Sequence, residues 1–219
     1  MRRPNIQVER VLSIPFEENC YVAHIEGRAD CLVVDPGLEP QKIVDYLDSN
    51  GLVPAAILNT HGHSDHIAGN GFVKERWPEA PLVIGSGDAA KLTSAQLNLS
   101  SLFGASVTSP PPDRTLEDGQ DYSAAGVELK ILAIPGHSAG HVVYLCRDHD
   151  PPLVFVGDVI FSGSVGRTDF PDGDFQQLKQ GIHAKLFTLP DETLLLPGHG
   201  PPTTVAQEKR SNPFVGLES

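Results

Sequence analysis

The sequence predicts an α+β fold in which two β-sheets are sandwiched between outer helices. Short apolar runs of strand length recur along the chain, each closed by Gly, Pro or Asn. Segments with helical periodicity separate them, and the second half repeats the style of the first, which is the pattern of two sheets that each cover one face with helices. At 219 residues the chain can bury a core without disulfide or metal staples, and one domain spanning residues 1–219 is the expectation.

The first half opens with strands at Ile6 to Ile14, Cys20 to Ile25 and Asp30 to Val34, punctuated by Pro15, Gly27 and Pro36-Gly37, an antiparallel meander. From Pro40 the period becomes helical, with Ile43, Val44 and Leu47 on one face and Asn50-Gly51 as a stop. A strand at Ala55 to Leu58 delivers the chain to Thr60. A helical pattern runs from Asp65 to Trp77-Pro78, Pro81 to Ile84 reads as a strand, and Gly87 to Leu92 as a short helix. The Pro-rich stretch Ser94 to Asp113 reads as a long surface loop, its Ser94 to Gly104 part a candidate lid through Phe103. The second half has strands at Val127 to Ile134, Val142 to Cys146, Leu153 to Val156 and Thr193 to Leu196, a helix from Phe175 to Phe187, and a helical segment after Thr203.

Composition narrows the function. The formal net charge is −12, and no Lys/Arg cluster could track a phosphate backbone, so nucleic acid is not an expected partner. The polar opening Met1 to Arg10 lacks a signal-peptide core and no window approaches a membrane span, so no membrane association is expected. Cys20, Cys31 and Cys146 are odd in number and lie in apolar runs, the pattern of buried reduced thiols in a cytoplasmic protein.

Chemistry concentrates at strand ends. Thr60-His61-Gly62-His63-Ser64-Asp65-His66 follows an apolar strand and packs three imidazoles and a carboxylate into six residues. Alternate residues of an extended loop point the same way, so His61 and His63 can serve one ion. A turn into helix at Asp65-His66 aims both at a neighbouring position. His137 follows a Pro-Gly turn after the next apolar strand, Asp158 ends Phe155-Val156-Gly157, and His199 stands between two glycines after Leu194-Leu195-Leu196-Pro197. A carboxylate can bridge two cations and offset their repulsion, the role expected of Asp158. Any one such histidine is more simply a capped or solvated residue; seven together would cost heavily in desolvation without a metal. His24, His149 and His183 read as structural or solvated, and His141 as a residue that holds a ligand's tautomer.

These residues resemble the metallo-β-lactamase superfamily, whose H-x-H-x-D-H signature and three later single ligands match here in order over nearly the whole chain. Within it the sequence is similar to the short bacterial branch of the glyoxalase II-like (hydroxyacylglutathione hydrolase-like) enzymes. The similar runs are Asn19-Cys20-Tyr21, Gly157-Asp158-Val159-Ile160-Phe161, Gly166-Arg167-Thr168-Asp169-Phe170-Pro171, Gly198-His199-Gly200-Pro201 and Glu208-Lys209-Arg210-Ser211-Asn212-Pro213-Phe214. The resemblance implies a four-layer αββα sandwich with the site at one edge of the paired sheets. It assigns His61, His63 and His137 to a first metal, Asp65, His66 and His199 to a second, and Asp158 to both. The cations expected are two divalent ions, zinc first, with iron or manganese as alternatives.

The expected activity is hydrolysis of a small-molecule thioester such as S-D-lactoylglutathione by a metal-bound hydroxide. Two divalent ions roughly 3.5–4 Å apart lower the pKa of a shared water from about 15.7 to about 7. Asp65 and Asp158 are the expected catalytic carboxylates, Asp65 orienting the nucleophile as well as binding metal. The resemblance places a glutathione-contacting cation nine positions past the bridging carboxylate, where Arg167 stands; a salt bridge to Asp169 or Asp172 is its alternative role. The family's tyrosines, two residues beyond that cation and two beyond the last histidine, are Asp169 and Pro201 here. Full-length family members also carry C-terminal helices with basic residues for glutathione, whereas this sequence ends soon after Phe214. The rival activity is a mononuclear-iron persulfide dioxygenase acting on glutathione persulfide, with His61, His137 and Asp158 as a facial triad.

Overall fold

The computed structural model describes residues 5–14 and 16–217; residues 1–4, Pro15 and residues 218–219 lie outside the described residues. One sheet is built from β1 (Ile6–Ser13), β2 (Glu18–Ile25), β3 (Asp30–Val34), β4 (Val53–Asn59), β5 (Leu82–Gly85) and β6 (Arg114–Leu116), in that spatial order. The first three pair antiparallel, as the meander predicts, and the rest parallel. The other sheet holds β7 (Asp121–Ala124), β8 (Val127–Ala133), β9 (Val142–Cys146), β10 (Leu153–Gly157), β13 (Leu194–Pro197) and β14 (Thr203–Thr204), in the order β14-β13-β10-β9-β8-β7. A small hairpin, β11 (Ile160–Phe161) and β12 (Ser164–Val165), follows β10. Among the described residues five α-helices complete the fold: α1 (Pro40–Asn50), α2 (Ser64–Ile67), α3 (Asn70–Arg76), α4 (Phe175–Gly181) and α5 (Val205–Ser211).

Period-two alternation sorts the strand residues into layers. Leu32 and Val34 of β3 face Tyr144, Phe155 and Leu196 of the second sheet, whereas Cys31 and Val33 point outward onto Ile43 and Leu47 of α1. On the same outer face Ile57 and Leu82 meet Ile67 of α2 and Val73 of α3. The far side of the second sheet, with Val143, Val154 and Leu195, packs on Leu178 of α4 and Val205 of α5. The result is an αββα sandwich. Each fully buried Leu, Ile or Phe contributes about 1.5–3 kcal/mol, so the layer between the sheets is the main force pressing the two halves together.

Several elements differ from the sequence expectation. The helical pattern after Asp65 splits at Gly69, whose amide bonds the Pro36 carbonyl at 2.8 Å and where a Cβ would overlap the Pro36 and Gly37 carbonyls. The segment Phe175 to Phe187 becomes α4 followed by a π-turn, Ile182–Leu186. Strands β6 and β7 carry no periodic signal, because each sends a single well-buried side chain, Leu116 or Tyr122, into the core. The stretch Ser94 to Asp113 is not a loosely held loop. Asn98 is fully buried and donates to the Lys91 and Val107 carbonyls, and a 3-10 turn spans Ser100–Phe103.

Candidate metal centre

Strand ends from both sheets meet at one seam. Thr60, directly after β4, donates its amide and its hydroxyl to Asp35, both at 2.7 Å, and its carbonyl accepts the Val142 amide of the opposite sheet at 2.9 Å. The Tyr144 hydroxyl donates to the Asn59 carbonyl at 2.8 Å, a second tie across the sandwich. His61 and Gly62 follow through a bend, His63 is extended, and the single turn of α2 then presents Asp65 and His66. His137 comes off β8 through Ile134-Pro135-Gly136, Asp158 directly follows β10, and His199 follows β13 across Gly198. A Cβ on Gly198 would overlap Oδ1 of Asp158 and the His66 ring, so the approach of this loop requires glycine.

The seven side chains expected from the sequence converge. Nδ1 of His63 lies 2.9 Å from Nε2 of His137, and the His61 ring centre is 4.7 Å from that of His63 and 4.9 Å from that of His137. On the other side, Nε2 of His199 is 3.3 Å from Asp65 and Nε2 of His66 is 3.7 Å from it. Asp158 stands between the groups, with Oδ1 3.4 Å from His66 and Oδ2 3.5 Å from both His137 and His199. In each triad, His61-His63-His137 and Asp65-His66-His199, the ligand atoms lie within 4.8 Å of one another.

The donor set fits metal. Nε2 of His61, Nε2 of His66 and Oδ1 of Asp158 are buried with no hydrogen-bond partner among the described residues. Each such orphan costs about 1–3 kcal/mol, a penalty that a cation removes. Charge is divided in the same way as the geometry. Burial, then neighbouring imidazoles, pushes His61 well below the ordinary histidine value, and burial, His137 and Lys91 push His63 down to about 3. His137 is lowered chiefly by burial, so all three histidines of this triad favour the neutral imidazole that can ligate a cation. His66 is raised despite burial, because Asp158 and Asp65 face it, and His199 is raised despite burial by its bond to Asp65 and the charge of Asp158. Asp65 and Asp158 are held low against burial, His66 foremost.

Residues that the sequence reading passed over support this centre. Asp35, buried after β3, holds Nδ1 of His66 at 3.2 Å; its signal was available, a carboxylate at the end of an apolar strand. Asp88, Lys91 and Ser138 form a buried cluster beside the first triad with no local sequence signal. His141 differs from expectation: it accepts the Asp158 amide on Nε2 at 3.2 Å and stacks on His61 at 4.7 Å, rather than bonding a ligand's ring nitrogen. His183 is half-buried, and its Nε2–H donates to the Val215 carbonyl at 2.7 Å.

A cavity of about 370 Å³ opens over the carboxylates, walled by Phe16, Leu99, Phe103, Phe161 and Phe170, with Phe103 6.0 Å from Phe16. Arg167 is its one lining Lys or Arg among the described residues. The guanidinium donates twice to Asp169, 2.7 Å each, and lies 4.2 Å from the Phe170 ring centre; Asp172 instead bonds Lys91.

Comparison with known proteins places this architecture. A family model of the metallo-beta-lactamase superfamily matches residues 14–199. The chain is 41% identical over 202 residues to the probable metallo-hydrolase YqgX of Bacillus subtilis, covering 92% of this chain and 93% of that protein. It is 32% identical over 217 residues to the hydroxyacylglutathione hydrolase GloC of Haemophilus influenzae, covering 98% and 100%. Among solved structures, the BLEG-1 B3 metallo-beta-lactamase superposes with a TM-score of 0.91 at 33% identity, covering 95% of this chain and 99% of that one. The di-iron-bound form of TTHA1623 superposes with a TM-score of 0.83 at 36% identity, covering 94% and 99%. The chain belongs to the metallo-beta-lactamase superfamily.

Proposed function

We propose that this protein is a binuclear metallohydrolase that cleaves a small-molecule thioester, with S-D-lactoylglutathione the first candidate substrate. The observation that carries the reading is Asp158, whose two carboxylate oxygens face histidines of both triads at 3.4–3.5 Å. His61, His63 and His137 would hold one divalent ion, Asp65, His66 and His199 the other, and Asp158 both. Zinc, iron or manganese suits this donor set, and similarity to a di-iron structure keeps iron in view. Such ions supply hydroxide at neutral pH and Lewis-acid charge for a developing oxyanion. Asp65, which lines the cavity, would orient the attacking oxygen as well as help hold metal. The leaving thiolate, with a pKa near 8.5 for a simple thiol, departs with little acid help. Arg167 at the cavity wall offers the anion contact for glutathione once Asp169 releases it. Three free, buried cysteines suit the reduced cytoplasm as the place of action.

The rival is a persulfide dioxygenase using His61, His137 and Asp158 around one iron. The Asp65-His66-His199 triad, complete in its side chains, favours hydrolysis, since one iron held by His61, His137 and Asp158 does not need it as ligand. The test is turnover of S-D-lactoylglutathione by protein purified without added metal, beside oxygen uptake with glutathione persulfide. Thioester hydrolysis without oxygen uptake is expected. Oxygen uptake without hydrolysis would sink the proposal, and hydrolysis of a β-lactam alone would move the chain to the chemistry named for BLEG-1.

A further inference from the structure

Beside the first histidine triad, and outside the residues that line the cavity, four polar side chains form a cluster that the proposed chemistry leaves without a role. Asp88, fully buried at the 3-10 turn Ser86–Lys91, accepts the Gly62 amide on Oδ2 and the Gly140 amide on Oδ1, each at 2.8 Å. The Ser138 hydroxyl also donates to Oδ2. The Lys91 ammonium, 7% exposed, lies 3.3 Å from Asp88 and donates to Ser138 Oγ and, at 2.6 Å, to Asp172. Asp172 in turn accepts the Ala139 amide at 3.1 Å.

The positions gripped are informative. Gly62 lies between His61 and His63, and Ser138 follows His137, so one carboxylate and one ammonium hold both loops that carry the first triad. The fit is close: a Cβ on Gly62 would overlap the Lys91 stem, and one on Gly140 would overlap the Asp88 amide. Lys91 faces His63 and disfavours its protonation, and the two carboxylates that the ammonium touches, Asp88 and Asp172, offset its charge. The second triad rests on other supports, His66 on Asp35 and His199 on the Phe16 carbonyl at 3.0 Å.

We infer that Asp88 and Lys91 are positioning residues for the first metal subsite alone, setting its affinity while leaving the second subsite unchanged. The inference rests on the reading that the two triads hold ions. A fully satisfied buried network fixes the geometry of what it binds. Removing one charge of a buried pair strands the other and loosens the loops. Outer partners of metal ligands are worth about 10–100-fold in metal affinity.

The test is zinc affinity, measured by competition with a chromophoric chelator in two backgrounds: His199→Ala, which cripples the second triad, and His61→Ala, which cripples the first. Lys91→Met is expected to weaken zinc binding by about 10–100-fold in the first background and by less than about twofold in the second. Asp88→Asn should do the same. Equal weakening in both backgrounds, or none in either, overturns the inference. Should Lys91→Met not fold, Asp172→Asn at the outer arm of the cluster is expected to give a smaller loss with the same selectivity; a loss without selectivity overturns the inference equally. Zinc binding is read without substrate, so absent thioester turnover does not touch this result. A parent protein that binds no zinc would overturn both this inference and the metal reading beneath it.

Discussion

Nδ1 of His66 lies 3.2 Å from Oδ2 of Asp35, a carboxylate that also takes the amide and hydroxyl of Thr60. The bond keeps a proton on Nδ1 and turns Nε2 towards Asp158 and Asp65, so the strand-end carboxylate sets which nitrogen of His66 can ligate. Asp35→Asn should weaken the second ion by about 10–100-fold. It should also lower stability by about 1–3 kcal/mol, since Thr60 loses a charged acceptor. A zinc titration and a urea melt check the two effects, and a variant with both unchanged would exclude this role.

Zinc binding should release protons. His66 and His199 have raised pKa values in the metal-free fold. Their contribution to stability is full below the ordinary histidine value of 6.5 and fades as the pH climbs through the raised values. Asp65 and Asp158, held low, contribute above the ordinary 3.8 and lose that contribution as the pH falls through their lowered values. A metal must displace the two histidine protons, so affinity should rise from about pH 6 to about pH 8. Calorimetry in buffers of different ionisation heat reads the release; a flat affinity across that range contradicts the assignment of these two residues.

Arg167 is engaged by Asp169, whose carboxyl it holds down to about 2. An incoming carboxylate must compete with that partner. Asp169→Asn should therefore lower KM for a glutathione thioester by about threefold, and Arg167→Met should raise it by a similar factor, with kcat nearly constant in both. Equal KM values in all three proteins would remove Arg167 from substrate recognition.

The three cysteines should resist thiol reagents in the folded state. Cys20, Cys31 and Cys146 are buried, and desolvation pushes all three thiols up, Cys31 to about 12. A chromogenic disulfide should label none of them until urea unfolds the protein. Prompt labelling of the native chain would contradict the packing of β2, β3 and β9.

The sequence exposed what depends on local pattern and hid what depends on contact across the chain. The seven candidate ligands were legible because they gather where four apolar runs end, and His61 to His66 pack a density of imidazole that no core requires. Asp35 bore the same mark, but Pro36-Gly37 beside it reads as turn punctuation. Asp88 and Lys91 carry no mark, since their partner Ser138 lies 50 and 47 residues away. Asn98 orders a Pro-rich stretch through two backbone carbonyls that only the fold brings within reach. The layered sandwich follows from alternation in β3 and the amphipathic α1, whereas β6 and β7 are too short for alternation to register.

The central claim is that Asp158 joins two metal subsites. Its most direct test is a crystal structure of protein purified without added metal, with anomalous maps collected at the metal absorption edges. Two peaks are predicted, one among His61, His63 and His137 and one among Asp65, His66 and His199, with Asp158 touching both. A single peak held by His61, His137 and Asp158, with the second triad free of metal, would contradict the claim.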